Sequence, residues 1–370
     1  MKRVAFIRSD GIYMDSRAIK EVTALLEAGY HVIILAWDRD GAALDQCSRI
    51  FTGNNRPEYY FFDTRVIGII GGIRNIGVVL NWLRWIYKQL RAIGQIDIIH
   101  ACDFDTGAAA YYYCKHHKAK LLYDIYDYYV DTHAMPSLLN SIAEKMEINV
   151  INRADLTIIC TEERKEQINK SKPRDLIVIH NSPDVPEVPE TEAEYDYAYC
   201  GDLIDIRLID KIFSHYKENS DLKCYFVGNG DLVGEAEQLD SRYGGFTYGG
   251  RALPYSEVIA LESKAMCLAA IYDPSYRNHQ LCAPNKFYEA LALAKPVIVC
   301  KGTGIDKIVE KYGIGKVIDY DAPAFYNAIR EIKENKDLRE RMGRNARALY
   351  EDKYRWSIMK ERLLQAYEKL

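Results

Sequence analysis

Residues 283 to 304, APNKFYEALALAKPVIVCKGTG, bring together a proline, a lysine, a glutamate and two glycines in an order that could hold a phosphate group. Pro284 stands where a helix would begin, since its fixed φ suits the first turn and its missing N–H would be unpaired there anyway. Lys286 and Glu289, three apart, share one helix face, and Ala294-Lys295-Pro296 ends the helix before an apolar strand. A helix start carries about half a positive charge, and Lys286 adds a whole one. That suits a leaving diphosphate, whose developing charge is stabilised by cations and N–H groups without new covalent bonds. One turn on, Glu289 is placed to accept hydrogen bonds from the two hydroxyls of a ribose. The loop Lys301 to Gly304 could bring further N–H groups to the phosphates. The plain alternative is a solvated Lys/Glu pair, common on helix surfaces and worth only ~0.3 to 0.5 kcal/mol.

Those residues need a frame to hold them. Short β-branched runs alternate with amphipathic ones: KRVAFIR, a helix from about Asp15, HVIILAW, a helix from about Arg74, DIIHA, a helix over 106 to 117, then KLLYDIY. This is the pattern of βαβ units around a parallel sheet. Leu138, Ile142, Met146 and Val150 recur every four positions and predict one more helix ahead of LTIIC and LIVIH. NSPDVPEVPETEAEYD, with three prolines and six acidic residues, then reads as an exposed connection between domains. The alternation restarts with YAYCG, a helix over 206 to 216, KCYFVG, a helix from 254, MCLAAIY, a helix over 284 to 294, and PVIVC. A last helix places Trp356, Met359, Leu363, Tyr367 and Leu370 on one apolar stripe. The expected division is 1–185, 186–350 and a closing helix 351–370, two Rossmann-like α/β domains in 370 residues.

Bulk composition narrows the function. A net charge of -4 and a pI near 6.1 argue against a nucleic-acid coat, which needs uncompensated Lys and Arg. Nine cysteines, most of them in apolar strand-like runs and without Cys-x-x-Cys or Cys/His ligand spacing, fit buried reduced thiols of a cytoplasmic protein. MKRVAFIR is too short in apolar residues for a signal peptide and reads as a first strand. The uncharged apolar run Val66 to Ile73 falls well short of the ~20 residues a spanning helix needs.

The segment around Lys286 resembles the donor-binding motif of glycosyltransferase family 4, in which Pro-Asn-Lys-(Leu/Phe)-x-Glu is followed by Gly/Ala-Lys-Pro-Val-Ile. The resemblance runs through most of the chain. DSRAIKEVTALLEAGYHVIILAW is similar to the family's first helix and second strand, DIIHACD to its His-Ala-His-Asp strand end, and KLLYDIYDYY to Tyr-Asp-x-His-Asp/Glu. INRADLTIICTEE and VIHNSPD resemble the end of its first domain. YCGDLIDIR, YFVGNGD, YGGRALPYSEV and YRWSIMKERLLQAY resemble successive parts of its second.

The resemblance implies a GT-B fold, two doubly wound parallel-sheet domains facing a central cleft, with the last helix crossing back to the first domain. It implies a nucleoside-diphosphate sugar as donor, no cofactor, retention of anomeric configuration and a glycan or lipid-linked saccharide as acceptor. Lys286 and Arg207 would meet the diphosphate, with Asn285 beside them, Glu289 the ribose, and Gly302, Thr303 and Gly304 the distal phosphate or sugar. The base would sit near Gly250, Arg251 and Ala252. Arg207 also fits on physical grounds, in a first helical turn with Asp205 as N-cap. On the acceptor side stand Asp10, Gly11 and Tyr128.

Three positions depart from the family. Leu281 replaces the first Glu of Glu-x7-Glu, which leaves the sugar to His279 or Asn278. Asp202 replaces an arginine, shifting phosphate binding onto Arg207 and Lys286. Cys102 and Tyr126 replace histidines of the first domain, and a thiol cannot match imidazole as an acid or base near pH 7. His100 and Asp103 are the catalytic candidates that remain, Asp103 the better placed because it falls just past a strand end. His100 could equally be a core histidine.

Other signals compete. Asp103-Phe104-Asp105 and Asp38-Arg39-Asp40 both match a metal-binding Asp-x-Asp, yet the second domain already supplies cations, so no metal is expected. Gly228-Asn229-Gly230 has the wrong spacing for a dinucleotide fingerprint and reads as a tight turn. Residues 76–93 set Arg84, Lys88 and Arg91 on one stripe and Val79, Leu83, Ile86 and Leu90 on another, with Trp82 and Trp85 between. This suits peripheral contact with an anionic membrane, the alternative being a helix packed on its own sheet. Two further functions stay open: a nucleotide-sugar epimerase of the same fold, and a silent sugar-nucleotide-binding partner of another transferase.

Overall fold

The computed structural model describes residues 1–53, 55–64, 76–132, 136–189, 191–251 and 253–370. The apolar run Val66 to Ile73 and the base-side Ala252 lie outside them. The chain forms two compact units, Met1–His180 with Met359–Leu370, and Asn181–Ile358.

The first unit is built on strands β1 (Arg3–Arg8), β2 (His31–Asp38), β3 (Glu58–Asp63), β4 (Ile98–Cys102), β5 (Lys120–Ile125), β6 (Leu156–Ile159) and β7 (Leu176–Val178). They lie in the order β3-β2-β1-β4-β5-β6-β7, all parallel. Val4 pairs with Val32 on one side and Ile98 on the other. Helices cover both faces of such a sheet, so its central strands must be apolar throughout, and Val4, Ala5, Phe6 and Ile7 are all fully buried.

The second unit repeats the plan with β8 (Tyr195–Cys200), β9 (Cys224–Val227), β10 (Phe246–Tyr248), β11 (Ala265–Ala270), β12 (Val297–Cys300) and β13 (Gly315–Ile318), in the parallel order β10-β9-β8-β11-β12-β13. In each sheet the strand order reverses beside the first strand of the unit. A crevice therefore opens past the carboxyl ends of β1 and β4, and another past those of β8 and β11.

The helix Trp356–Glu368 buries Met359, Leu363 and Tyr367, and from Met359 onward it belongs with the first unit. Met359 Sδ accepts a hydrogen bond from His180 N at 3.2 Å, and the Tyr367 ring lies 5.5 Å from that of Tyr30. The segment after His180 is exposed over 191–194 as its composition predicts, but its start is packed, with Ser182, Pro183 and Val185 buried. Asn181 Nδ2 donates to Ala283 O at 2.8 Å, Tyr350 Oη donates to Pro183 O at 2.8 Å, and Arg347 Nη1 donates to Val185 O at 3.1 Å, tying it to the second unit.

One helix turns a face other than that expected, and in a second the packing alternative uses the tryptophans. In Ser137–Arg153, Leu138, Ile142 and Met146 are exposed, and the buried positions include Glu147, Val150 and Ile151. Glu147 points inward because it serves two donors there, Tyr123 Oη at 2.8 Å and Tyr129 N at 3.2 Å. Burial pushes its carboxyl up to about 8. In Ile76–Ile93, Trp82 lies in the core, 5.5 Å from Trp37 and 5.6 Å from Phe62, and Trp85 stacks on it at 5.4 Å. Arg84, Lys88 and Arg91 are exposed, but the tryptophan pair meant for a membrane is largely spent on packing. Among the described residues no helix is long and apolar enough to cross a membrane.

All nine cysteines are free, and all but Cys114 are buried. Gly228 and Gly230 serve closeness of backbone as well as a turn. A Cβ on Gly228 would lie 1.7 Å from Gly201 O, and one on Gly230 2.2 Å from Leu203 O. The backbone after β9 thus clamps the loop after β8, with Leu203 N donating to Asn229 O at 2.7 Å. Gly228→Ala is expected to destabilise the protein by about 3 kcal/mol or more, read as a lowered thermal midpoint. An unchanged midpoint would show that the loop carrying Arg207 is not held there.

Candidate functional site

In the second unit the sequence-predicted donor residues converge past the carboxyl ends of β8, β11 and β12. The helix Asn285–Ala292 starts there because a right-handed crossover from β11 to β12 brings its first turn to that edge. Pro284 precedes it with φ -69°, and Asn285 is exposed at its start. Lys286 Nζ lies 2.7 Å from Glu289 Oε2 and 2.8 Å from Glu262 Oε1. Glu289 is therefore not an exposed carboxylate awaiting a ribose. It is 1% exposed and engaged with Lys286, and the Tyr255 hydroxyl is hydrogen-bonded to it as well. Burial pushes the Glu262 carboxyl up to about 8, with Glu289 adding to the shift and Lys286 opposing it.

Arg207 sits in the short 3-10 turn Asp205–Arg207, not in the first turn of an α-helix. That helix begins at Ile209, after Leu208 takes a left-handed φ of 63°. Asp205 accordingly accepts from Ile206 N at 2.7 Å instead of capping the helix. The Arg207 guanidinium lies 3.7 Å from the centroid of Tyr272, just past β11, and its Nη1 is buried with no hydrogen-bond partner among the described residues. After β12, Gly302 N donates to Asp306 Oδ2 at 2.7 Å and Thr303 Oγ1 donates to Cys300 O at 2.6 Å. The Gly302 N–H is thus already used within the loop. Gly304 has φ 79°, and a Cβ there would lie 2.8 Å from Gln280 O, so the loop is pressed against the segment before Pro284.

Arg251 is exposed beyond Gly250, whose carbonyl accepts from Gly228 N at 3.1 Å. His279 is buried, with Nδ1 2.9 Å from Asp273 O and its ring 5.1 Å from Tyr272.

In the first unit the crevice past β1 and β4 is charged. Arg8, ending β1, pairs with Asp10 at 3.1 Å, Asp15 at 3.2 Å and Asp103. Asp103 takes the unusual φ of 64°, and its Oδ1 accepts from Tyr126 N at 2.9 Å and Asp127 N at 3.0 Å. Burial pushes its carboxyl up to about 7 despite Arg8. An acid poised there can exchange a proton near neutral pH. Asp10 Oδ1 also accepts from Ile12 N at 3.0 Å, and a Cβ on Gly11 would lie 2.4 Å from the Tyr13 ring. Tyr126, standing in for the family's histidine, is sandwiched with Arg8 4.3 Å from its centroid and Arg17 4.7 Å.

Two first-domain candidates move inward. His100 is fully buried, its Nδ1 2.7 Å from Tyr367 Oη and its Nε2 3.4 Å from Asp124 Oδ2. Burial lowers its pKa, so it is a neutral core histidine and not a strand-end acid or base. It belongs to a sealed polar cluster in which Arg17 Nη2 binds both Asp124 oxygens, at 2.8 and 3.0 Å, and Arg17 Nε meets Glu21 at 3.1 Å. Glu21, His100 and Asp124 lie close enough to hold a metal ion, but the positive charge among them is the Arg17 guanidinium. Tyr128 is 2% exposed in the first unit's core, its ring used for packing instead of facing an acceptor. The second Asp-x-Asp closes its own turn, with Asp38 accepting from Gly41 N at 2.8 Å and Asp40 from Ala42 N at 3.0 Å.

Sequence reasoning missed Arg8, Glu262 and Tyr272. Arg8 left a signal, since a charge ending an otherwise buried central strand points into the crevice. Glu262 and Tyr272 left none, because each is brought to the site from another element.

Two family models match the chain in succession, Glycosyltransferase Family 4 over residues 17–185 and Glycosyl transferases group 1 over residues 205–349. The chain belongs to the family 4 type of glycosyltransferases. Among curated relatives of this family 4 chain, spore coat protein SA of Bacillus subtilis is 32% identical over 106 residues, 28% of this chain and 26% of that protein. The match thus spans about a quarter of that relative's length. Solved structures share the fold over nearly the full length of both chains. Sucrose-phosphate synthase of Thermosynechococcus elongatus has a TM-score of 0.77 at 16% identity, covering 100% of this chain and 99% of its own. HepE of Anabaena in complex with UDP-glucose has a TM-score of 0.69 at 14% identity, covering 100% of both chains. A putative UDP-N-acetylglucosamine 2-epimerase of Listeria monocytogenes has a TM-score of 0.67 at 14% identity, covering 100% of this chain and 96% of its own. The family 4 chain is therefore of GT-B type, a fold in which both transferases and epimerases are found.

Proposed function

We propose that this chain transfers a sugar from a nucleoside-diphosphate sugar to a glycan or lipid-linked saccharide, with retention and without a metal ion. The carrying observation is the cationic edge of the second unit, where Lys286 stands at a helix start and the buried Nη1 of Arg207 has no partner among the described residues. A diphosphate would supply the acceptor that Arg207 lacks. Glu289, released from Lys286 as the phosphates draw the ammonium, would take the ribose hydroxyls. In a retaining mechanism the leaving diphosphate can itself receive the acceptor's proton, so the loss of His100 from the crevice does not remove a required base.

In the first unit, Arg8 and Asp103 take the acceptor side of this reading, with Asp10 beside them. Peripheral membrane contact through 76–93 now rests on Arg84, Lys88 and Arg91 alone. The epimerase alternative keeps one favouring observation besides the shared fold, the Asp103 carboxyl poised near 7. Incubating the protein with UDP-glucose, GDP-glucose, ADP-glucose and dTDP-glucose separates the readings. Nucleotide release that depends on an added saccharide acceptor supports transfer. Conversion of the sugar with no acceptor present supports the epimerase, and binding without turnover across an acceptor panel supports the silent partner.

A further inference from the structure

Lys286 is gripped from two sides. Glu289 lies on its own helix, but Glu262 comes from the helix Tyr255–Ser263 ahead of β11, so the second grip is no product of helical spacing. Both carboxyls are buried, while the lysine side chain keeps 16% exposure. Of the ammonium's three protons one is donated to Glu289, and Glu262 holds the charge from the second side at 2.8 Å without a hydrogen bond, which leaves protons over for a ligand. Two ionised carboxylates on one ammonium would give the site a net negative charge, the wrong sign for holding a diphosphate.

We infer that Glu262 is a positioning residue of the donor site: as a neutral carboxylic acid it aims the Lys286 ammonium at the donor's diphosphate without cancelling its charge. The inference deepens the donor reading above and rests on it. Every charged or titratable group recorded around Glu262 bears on this role. Lys286 and Glu289 face it from the helix Asn285–Ala292, Cys200 from the end of β8, and Tyr255 from its own helix. Burial, the largest cause, and the neighbouring Glu289 both push the Glu262 carboxyl up to about 8, against Lys286. Below that pH the three groups sum to neutral, and above it they carry one more negative charge. Donor affinity is therefore full on the acid side and lost as pH rises through about 8.

The test is calorimetric titration of the intact protein with whichever of UDP-glucose, GDP-glucose, ADP-glucose and dTDP-glucose binds. The wild-type Kd is expected to rise roughly five- to tenfold from about pH 7 to about pH 9, while Glu262→Gln, which cannot ionise, holds the ratio within about twofold. Glu262→Ala, with the grip removed, is expected to raise KM for the donor several-fold near pH 7 with a smaller change in kcat. A wild-type affinity that stays flat over this range would overturn the inference even if both variants failed to fold. So would a Gln variant that keeps the full pH dependence. If none of the four donors binds, the donor reading falls and this inference with it. If a donor binds and Lys286→Gln weakens it while Glu262→Gln behaves as wild type, only the inference falls.

Discussion

Lys286→Gln is expected to lower kcat/KM for sugar transfer by about 10²- to 10³-fold, the loss seen when one preorganised donor to a developing negative charge is removed. Glutamine is the informative replacement. It removes the charge but keeps a polar N–H group beside Glu262 and Glu289, which lie 2.8 and 2.7 Å from the lysine Nζ. Lys286→Ala would leave the two buried carboxyls without their cation and mix a stability loss into the kinetics. The loss should appear with the protein still folded, as judged by an unchanged thermal midpoint. Near-wild-type turnover in the folded glutamine variant would place the diphosphate elsewhere.

Arg17→Met is expected to cost about 3 to 5 kcal/mol of stability, because it leaves the Asp124 carboxylate buried without its cation and takes away the guanidinium beside the Glu21 carboxyl. Burial opposes ionisation of Asp124, but Arg17 and His100 outweigh it and hold its carboxyl below the usual range. A carboxylate of that kind adds stability above its unfolded pKa of about 3.9 and loses it as pH falls through the folded value. His100, whose pKa burial lowers, acts in the same direction, since the folded form excludes a proton that the unfolded chain takes up below about 6.5. Glu21, whose carboxyl burial pushes well up, acts the other way between its folded value and its unfolded pKa of about 4.3, so it is below about 4 that the wild type should lose stability and Arg17→Met should lose less. Three of the four tryptophans, Trp37, Trp82 and Trp85, lie in the first unit and Trp356 in the second, so urea unfolding followed by tryptophan fluorescence reads mainly the unit that holds Arg17. A midpoint shift worth less than about 1 kcal/mol would show that water or relaxation already compensates the cluster.

The strand alternation made the two parallel sheets legible, since central strands such as Val4 to Ile7 carry no polar position and can only be buried on both faces. For the same reason the sequence could not tell where His100 points. A strand buried on both faces has no outer side, and the partner that fixes His100 inside is Tyr367, 267 residues further along the chain. Lys286 and Glu289 were readable because a helix start, a proline and a three-residue spacing are local features. Glu262 was not, because its meeting with Lys286 depends on how the helix Tyr255–Ser263 packs beside β8 and β11. The period of four in Ser137–Arg153 marked a helix but picked the wrong face. The inward place of Glu147 is set by Tyr123, which comes from β5. Trp82 and Tyr128 misled similarly, as large amphipathic rings that suit a surface site and a core equally well.

The central claim is that the second unit holds the nucleoside-diphosphate sugar at the helix start Asn285–Ala292. Hydrogen exchange with and without a saturating donor, such as UDP-glucose or whichever nucleotide-sugar raises the melting temperature, tests it most directly. Protection is predicted to concentrate at residues 201–207, 285–289 and 301–304, and to vanish in Lys286→Gln at the same donor concentration. A donor that binds yet protects only segments of the first unit, or protects the Lys286→Gln variant as well as the wild type, would contradict the account.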